Sequence, residues 1–204
     1  MTRLYRSFAA AAALSALALS GCATATAGDP SGQSLGITYP RPPAGEVVAQ
    51  GTVMDVAGDI ELCLGAIAES YPPQCSGIPL EGWSWEGIDG SETSGDTRWG
   101  AYALQGTYDG SAFTSTQPPV MLALFDPAPS TDVNVEPGDT PEDRVVAIQN
   151  DIPDRLGADF LGSSVDQGHL WVDVVWDDGT WQQAADEDFG ESVVIVRSAL
   201  RPAG

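Results

Sequence analysis

Trp99-Gly100-Ala101-Tyr102-Ala103-Leu104-Gln105-Gly106-Thr107-Tyr108, then Asp109-Gly110-Ser111 and the return Phe113-Thr114-Ser115-Thr116, is the stretch that decides the fold. Asp-Gly accepts the positive φ of a tight reversal, so the two runs read as the arms of a β-hairpin. Val120-Met121-Leu122-Ala123-Leu124-Phe125 predicts a further buried strand. Upstream, Val47, Val48, Val53 and Val56 lie in a Gly-bounded stretch, and Ile60-Glu61-Leu62-Cys63-Leu64 alternates apolar with polar. Short strands and Gly-rich turns packed into residues 46–127 predict an all-β unit, a small barrel or sandwich.

Beyond it, residues 141–202 mix helix with strand. Thr140-Pro141-Glu142-Asp143 is a helix opening: Thr140 can cap, Pro141 suits the first helical position, and the acids favour the positive end of the helix dipole. Val145, Ile148, Ile152 and Leu156 recur at spacings of three to four, one apolar helix face. Pro153 should bend or end this helix and Gly157 should stop it. Residues 160–165 and 169–176 read as strands joined around Asp166-Gln167-Gly168. Asp177 or Asp178 then caps a short helix that Gly190 ends, and residues 193–197 form a last strand. Strand, short helix and strand in about thirty residues is the spacing of a parallel crossover. The expected fold class is therefore α+β: a small all-β barrel followed by a small αββαβ sandwich. Residues 128–140, rich in Pro, Ser, Thr, Asp and Gly, read as the linker between them.

The other end of the chain carries an address. Arg3 and Arg6 precede an apolar, alanine-rich run over residues 8–19, which small residues close before Cys22. Twelve apolar residues fall short of the ~20 that span a bilayer as a helix, and the pattern is that of a cleaved export peptide, residues 1–21. Leu19-Ser20-Gly21-Cys22 resembles the lipobox of bacterial lipoproteins. The resemblance implies a diacylglyceryl thioether on Cys22, cleavage after Gly21 and acylation of the new amino terminus. Residues 22–45 then form the lipidated start and a flexible Pro- and Gly-containing tether, with a span on the order of 25 Å. The expected location is the outer, extracytoplasmic face of the cell membrane, held there by the covalent lipid.

With Cys22 acylated, Cys63 and Cys75 remain as an even pair in an oxidising compartment, which favours a disulfide. Metal binding competes weakly, because no C-x-x-C is present and the one histidine, His169, is distant in sequence. The stretch from Glu61-Leu62-Cys63 through Tyr71-Pro72-Pro73-Gln74-Cys75 to Gly82-Trp83-Ser84-Trp85 resembles a recurring extracytoplasmic domain of actinobacterial proteins, an OB-like barrel of unassigned function. That resemblance covers about eighty residues, implies the Cys63–Cys75 bridge and carries over no catalytic residue. Asp177-Asp178-Gly179-Thr180-Trp181-Gln182, with Phe189-Gly190 and Ser198-Ala199-Leu200-Arg201-Pro202, more weakly resembles the tails of uncharacterised proteins from the same bacteria.

Charge narrows the partners. After removal of residues 1–21 the chain keeps six arginines against 29 acids, a net charge of −23, and contains no lysine. Binding nucleic acid depends on neutralising phosphates, so no nucleic-acid partner is expected. A single histidine excludes multi-histidine metal sites, and His169, opening a predicted strand beside a turn, reads as an ordinary polar edge residue. The acidic clusters Glu136, Asp139, Glu142, Asp143 and Asp177-Asp178 read as solvated linker and helix caps and do not match a calcium loop. No catalytic residue, metal or cofactor is predicted.

Trp83 and Trp85 are the candidate ligand-contact residues. Two apart, they share one face of an extended segment, and OB-type barrels bind oligosaccharides through one face and its loops. The competing reading makes them a lid over the barrel's open end. Trp171 and Trp176 differ by an odd number, so they face opposite sides of their strand, one of them at the interface between the units. The expected function is a membrane-anchored, non-catalytic binding or scaffold module whose partner is a cell-wall glycan or an envelope protein. An accessory subunit of an envelope transport or secretion system, or an envelope hydrolase, is the alternative.

Overall fold

The computed structural model describes residues 34–126 and 135–203. The export signal, Cys22, the first part of the expected tether, the last residue of the expected barrel unit, 127, and residues 128–134 of the expected linker lie outside the described residues. Among those described, no helix is long and apolar enough to cross a membrane.

The first unit is a closed five-stranded barrel with short additions. Its strands are β1 Val47–Val56, β2 Asp59–Cys63, β3 Ile78–Glu81, β4 Glu92–Ser94, β5 Thr97–Tyr108, β6 Phe113–Ser115 and β7 Val120–Met121. The ring runs β1-β2-β3-β6-β5 and closes where β5 pairs antiparallel with β1 from Val47↔Gly106 to Val56↔Thr97. Every junction is antiparallel except β3 with β6, which is parallel at Leu80↔Phe113. Alternate residues face inward: Val47, Ala49 and Val53 from β1 meet Tyr102, Leu104 and Tyr108 from β5, with Leu62, Leu80 and Phe113 filling the interior. Gly106 falls in the inward series of β5 where β6 crosses it, and a Cβ there would collide with the Thr114 carbonyl and the Phe113 ring. The Asp109-Gly110 reversal forms as the sequence predicts. Gly110 has φ +99°, and Asp109 Oδ1 accepts the backbone N–H groups of Ser111 and Ala112, each at 2.8 Å.

The predicted strand over residues 120–125 is corrected. Only Val120–Met121 pairs, against Tyr102 and Ala103, and Leu122–Leu124 is a 3₁₀ turn whose Leu124 is 71% exposed. The reason is competition for one edge. The side of β5 away from β1 is shared by β4 at its start, Thr97–Trp99, and β6 at its end, Gly106–Tyr108, so β7 is confined to the stretch between them.

The second unit follows as α1 Glu142–Leu156, a 3₁₀ turn Gly157–Asp159, β8 Phe160–Asp166, β9 His169–Val174, α2 Thr180–Phe189 and β10 Val194–Ser198. The sheet order is β8-β9-β10, antiparallel then parallel, so β9-α2-β10 is the expected crossover. Both helices lie on one face: Val145, Ile148, Ile152 and Leu156 of α1, and Trp181, Ala184 and Ala185 of α2, pack against Leu170, Val172 and Val174.

Three local expectations change. Thr140 makes no capping bond; Pro141 holds the cap position, and its carbonyl accepts the N–H groups of Arg144 and Val145. Helix α1 also runs through Pro153 to Leu156, because Ile152 and Leu156 on either side are buried and their packing offsets the missing hydrogen bond. At α2 the cap position is Gly179, yet Asp177 supplies the capping oxygens from outside the helix, accepting Trp181 N–H at 2.9 Å and Gln182 N–H at 3.2 Å.

The units are welded rather than strung together. After β10 the chain returns to the barrel, and β11 Arg201–Pro202 pairs with the start of β1. Val175 and Leu200 are buried in the barrel core, with Trp176 and Leu161 packed beside them. The tether expectation is corrected for residues 34–43, which form a strap along the second unit. Leu35 is buried in the α/β core, Ser34 and the Leu35 N–H bond Asp188, and Arg41 N–H bonds Asp178. A lone leucine among Gly, Ser and Pro carries no periodic signal, so the sequence hides this contact. Gly138 of the expected linker is likewise docked, its N–H donating to the Gln167 carbonyl at 2.8 Å.

Candidate functional site

Trp83 and Trp85 sit in the irregular segment after β3, each half-buried against the barrel core. Their rings meet edge to face at 5.1 Å, and Tyr102 lies 5.4 Å from Trp83. Trp85 Nε1–H donates to Asp55 Oδ2 at 2.8 Å, and the Arg98 guanidinium stands 4.4 Å from the Trp85 ring. The Tyr102 hydroxyl donates to the Asp89 carbonyl at 2.9 Å. Much of this aromatic surface is thus spent within the chain, both indoles packing on the barrel core. The Trp83 Nε1–H is buried and has no partner among the described residues.

Cys63 and Cys75 form a disulfide. It ties the end of β2 to the Pro-rich excursion that holds Tyr71, which is 72% exposed and meets Trp99 edge-on at 5.5 Å. Tyr71-Pro72 is a cis peptide.

A cleft of about 650 Å³ opens between the units. One wall is the sheet face turned away from the helices. There Arg197 makes a two-pronged pair with Asp173 at 2.8 and 2.9 Å and lies 5.1 Å from the Trp171 ring. Barrel residues Gln50 and Leu64 form the opposite wall, with Ser163, Ser164 and Arg201 completing the lining. The guanidinium of Arg201 has no carboxylate partner among the described residues, so this cleft is locally basic in a strongly acidic chain. Sequence reading did not find it. Arg197 and Arg201 belong to β10 and β11, Ser163 to β8 and Gln50 to β1, and only the weld between units gathers them. Small residues, Gly65, Ala66 and Gly162, keep the space open. Trp171 lies beside Arg197 on the same face of the sheet, while Trp176 packs on the barrel core.

His169 is not an edge residue: it is 5% exposed. Its Nδ1 lies 2.6 Å from the Ser192 carbonyl and its Nε2 2.9 Å from the Glu136 carbonyl, so the ring clasps the docked linker to the turn before β10. Among the described residues no group of three His, Cys, Asp or Glu side chains is disposed to hold a metal.

No family model, curated protein or solved structure matches the chain.

Proposed function

We propose that the chain is a lipid-anchored envelope protein, acylated at Cys22 on the outer face of the cell membrane, whose folded body is a non-catalytic binding module. The observation that carries this reading is the cleft between the units. Its guanidiniums, hydroxyls and carboxamide are groups that orient a polar ligand, and pockets form preferentially at such junctions. The ring order β1-β2-β3-β6-β5, with its single parallel junction, supports an OB-like barrel, and the helix layer over a three-stranded sheet supports a small αββαβ sandwich beside it. A cell-wall glycan bearing acidic groups matches the lining: a carboxylate pairs with Arg201, which has no carboxylate partner among the described residues, and sugar hydroxyls pair with Ser164 and Gln50.

Full-length protein in detergent, titrated with solubilised cell-wall fragments, tests the binding role. Retention that falls about tenfold or more in Arg201→Ala, with an unchanged melting curve, is the expected result. Equal retention of wild type and Arg201→Ala would count against the cleft. Metabolic acyl labelling tests the anchor: label on wild type and none on Cys22→Ser is expected, and equal label overturns it.

A further inference from the structure

A second, smaller cleft shares no lining residue with the first. It measures about 80 Å³ and is built by three parts of the chain at once. The strap contributes Tyr39, Pro40 and Pro42, the barrel hairpin contributes Tyr108, and the second unit contributes Trp176, Trp181 and Asp159. The polar edges of both indoles are already engaged, Trp181 Nε1–H with the Thr38 carbonyl and Trp176 Nε1–H with the Arg41 carbonyl, each at 2.9 Å. What these rings can still offer the cleft is therefore carbon.

Asp159 is the exception in this aromatic wall. Its carboxylate meets no hydrogen-bond donor and no guanidinium among the described residues, and burial holds its carboxyl above the ordinary carboxylate range. A half-buried carboxylate without a partner is costly, and no basic residue lines the space to relieve it. Asp109 adds to the local negative field at Tyr108. Aromatic rings attract cations through their negative faces, most strongly where water is excluded.

We infer that this cleft binds the alkylated ammonium group of an organic cation, with Asp159 as counter-ion, Tyr39 and Trp176 as aromatic walls, and the buried Tyr108 and Trp181 as its floor. Its volume suits a small head group rather than a ring system. Tyr39, 65% exposed, is the wall a ligand meets first. The inference stands apart from the glycan reading of the larger cleft, and failure of either leaves the other intact.

The test titrates full-length protein with choline and with its uncharged isostere 3,3-dimethylbutan-1-ol, following tryptophan fluorescence and the indole N–H signals by NMR. Choline should perturb the signals of Trp176 and Trp181, and the isostere should bind at least about tenfold more weakly. Asp159→Asn should weaken choline by a similar factor while leaving the protein folded. Tyr39→Ala, at an exposed position, should weaken it without lowering the melting temperature. Equal binding of choline and the isostere would reduce the cleft to an apolar notch and overturn the inference. So would the lack of any response to choline, or an unchanged affinity in Asp159→Asn. Vesicles of phosphatidylcholine against phosphatidylglycerol, read through the same indole signals, distinguish a lipid head group from a soluble cation as the source.

Discussion

The indole N–H of Trp181 donates to the carbonyl of Thr38 at 2.9 Å, joining the first turn of α2 to a segment 143 residues earlier in the chain. Around this bond the strap, α2 and the end of α1 form one unit. Arg155 pairs with Asp188 at 3.0 Å, and Asp188 in turn accepts the Leu35 N–H. The described strap therefore begins beside the C-terminal end of α2, at Asp188.

Leu35→Ala tests the strap. If residues 34–43 were only a spacer, the substitution would be silent. Buried as it is, Leu35 should cost about 2–5 kcal/mol when truncated, read as a lower urea midpoint with an unchanged slope.

Reduction of the Cys63–Cys75 bridge should lower stability by roughly 3 kcal/mol, the chain-entropy value for a loop of about this length. The melting temperature should fall by several degrees, and thiol titration before reduction should find neither cysteine reactive.

Two aspartates should show opposite pH signatures. Burial raises the Asp159 carboxyl, so its contribution to stability is full below the ordinary aspartate value and is lost as pH rises through the folded value. Asp159→Asn should then melt higher than wild type at neutral pH, the gap closing near about pH 3. The N–H of Ala112 and the hydroxyl of Ser111 lower Asp109, so its contribution is present above the ordinary value and lost as pH falls through the folded one. Asp109→Ala should melt lower at neutral pH and converge with wild type in acid. Thermal melts of both variants across pH check the two signs.

Alanine at Trp83 or Trp85 should destabilise the barrel. Full core truncation of a tryptophan costs about 3–5 kcal/mol, and these half-buried rings should fall at or below the lower end. Trp85→Phe isolates the bond to Asp55 and should cost about 1 kcal/mol. A ligand-only role would leave all three variants with wild-type melting curves.

The sequence by itself determined the elements whose signals are local. Asp109-Gly110 set the β5–β6 hairpin because few residues other than glycine accept that φ. The three-to-four spacing from Val145 to Leu156 set α1, and valine-rich runs on either side of a short helix set the β9-α2-β10 crossover. The sequence also confined the two cysteines of the folded part to one excursion, where they pair. Tertiary structure decided the rest. Closure of the barrel depends on β1 lying along β5, a pairing between residues some fifty positions apart. Strand β3 contains Pro79 and has no alternation to announce it, and two-residue β11 has meaning only beside Val47 and Val48. The same holds for the sites: Arg197, Arg201 and Gln50 share a cleft, and Tyr39, Tyr108 and Asp159 a second, only because the chain's last strand and its N-terminal strap weld two separately legible units. Local patterns report which face of an element is apolar. They carry no information about which distant element will cover it.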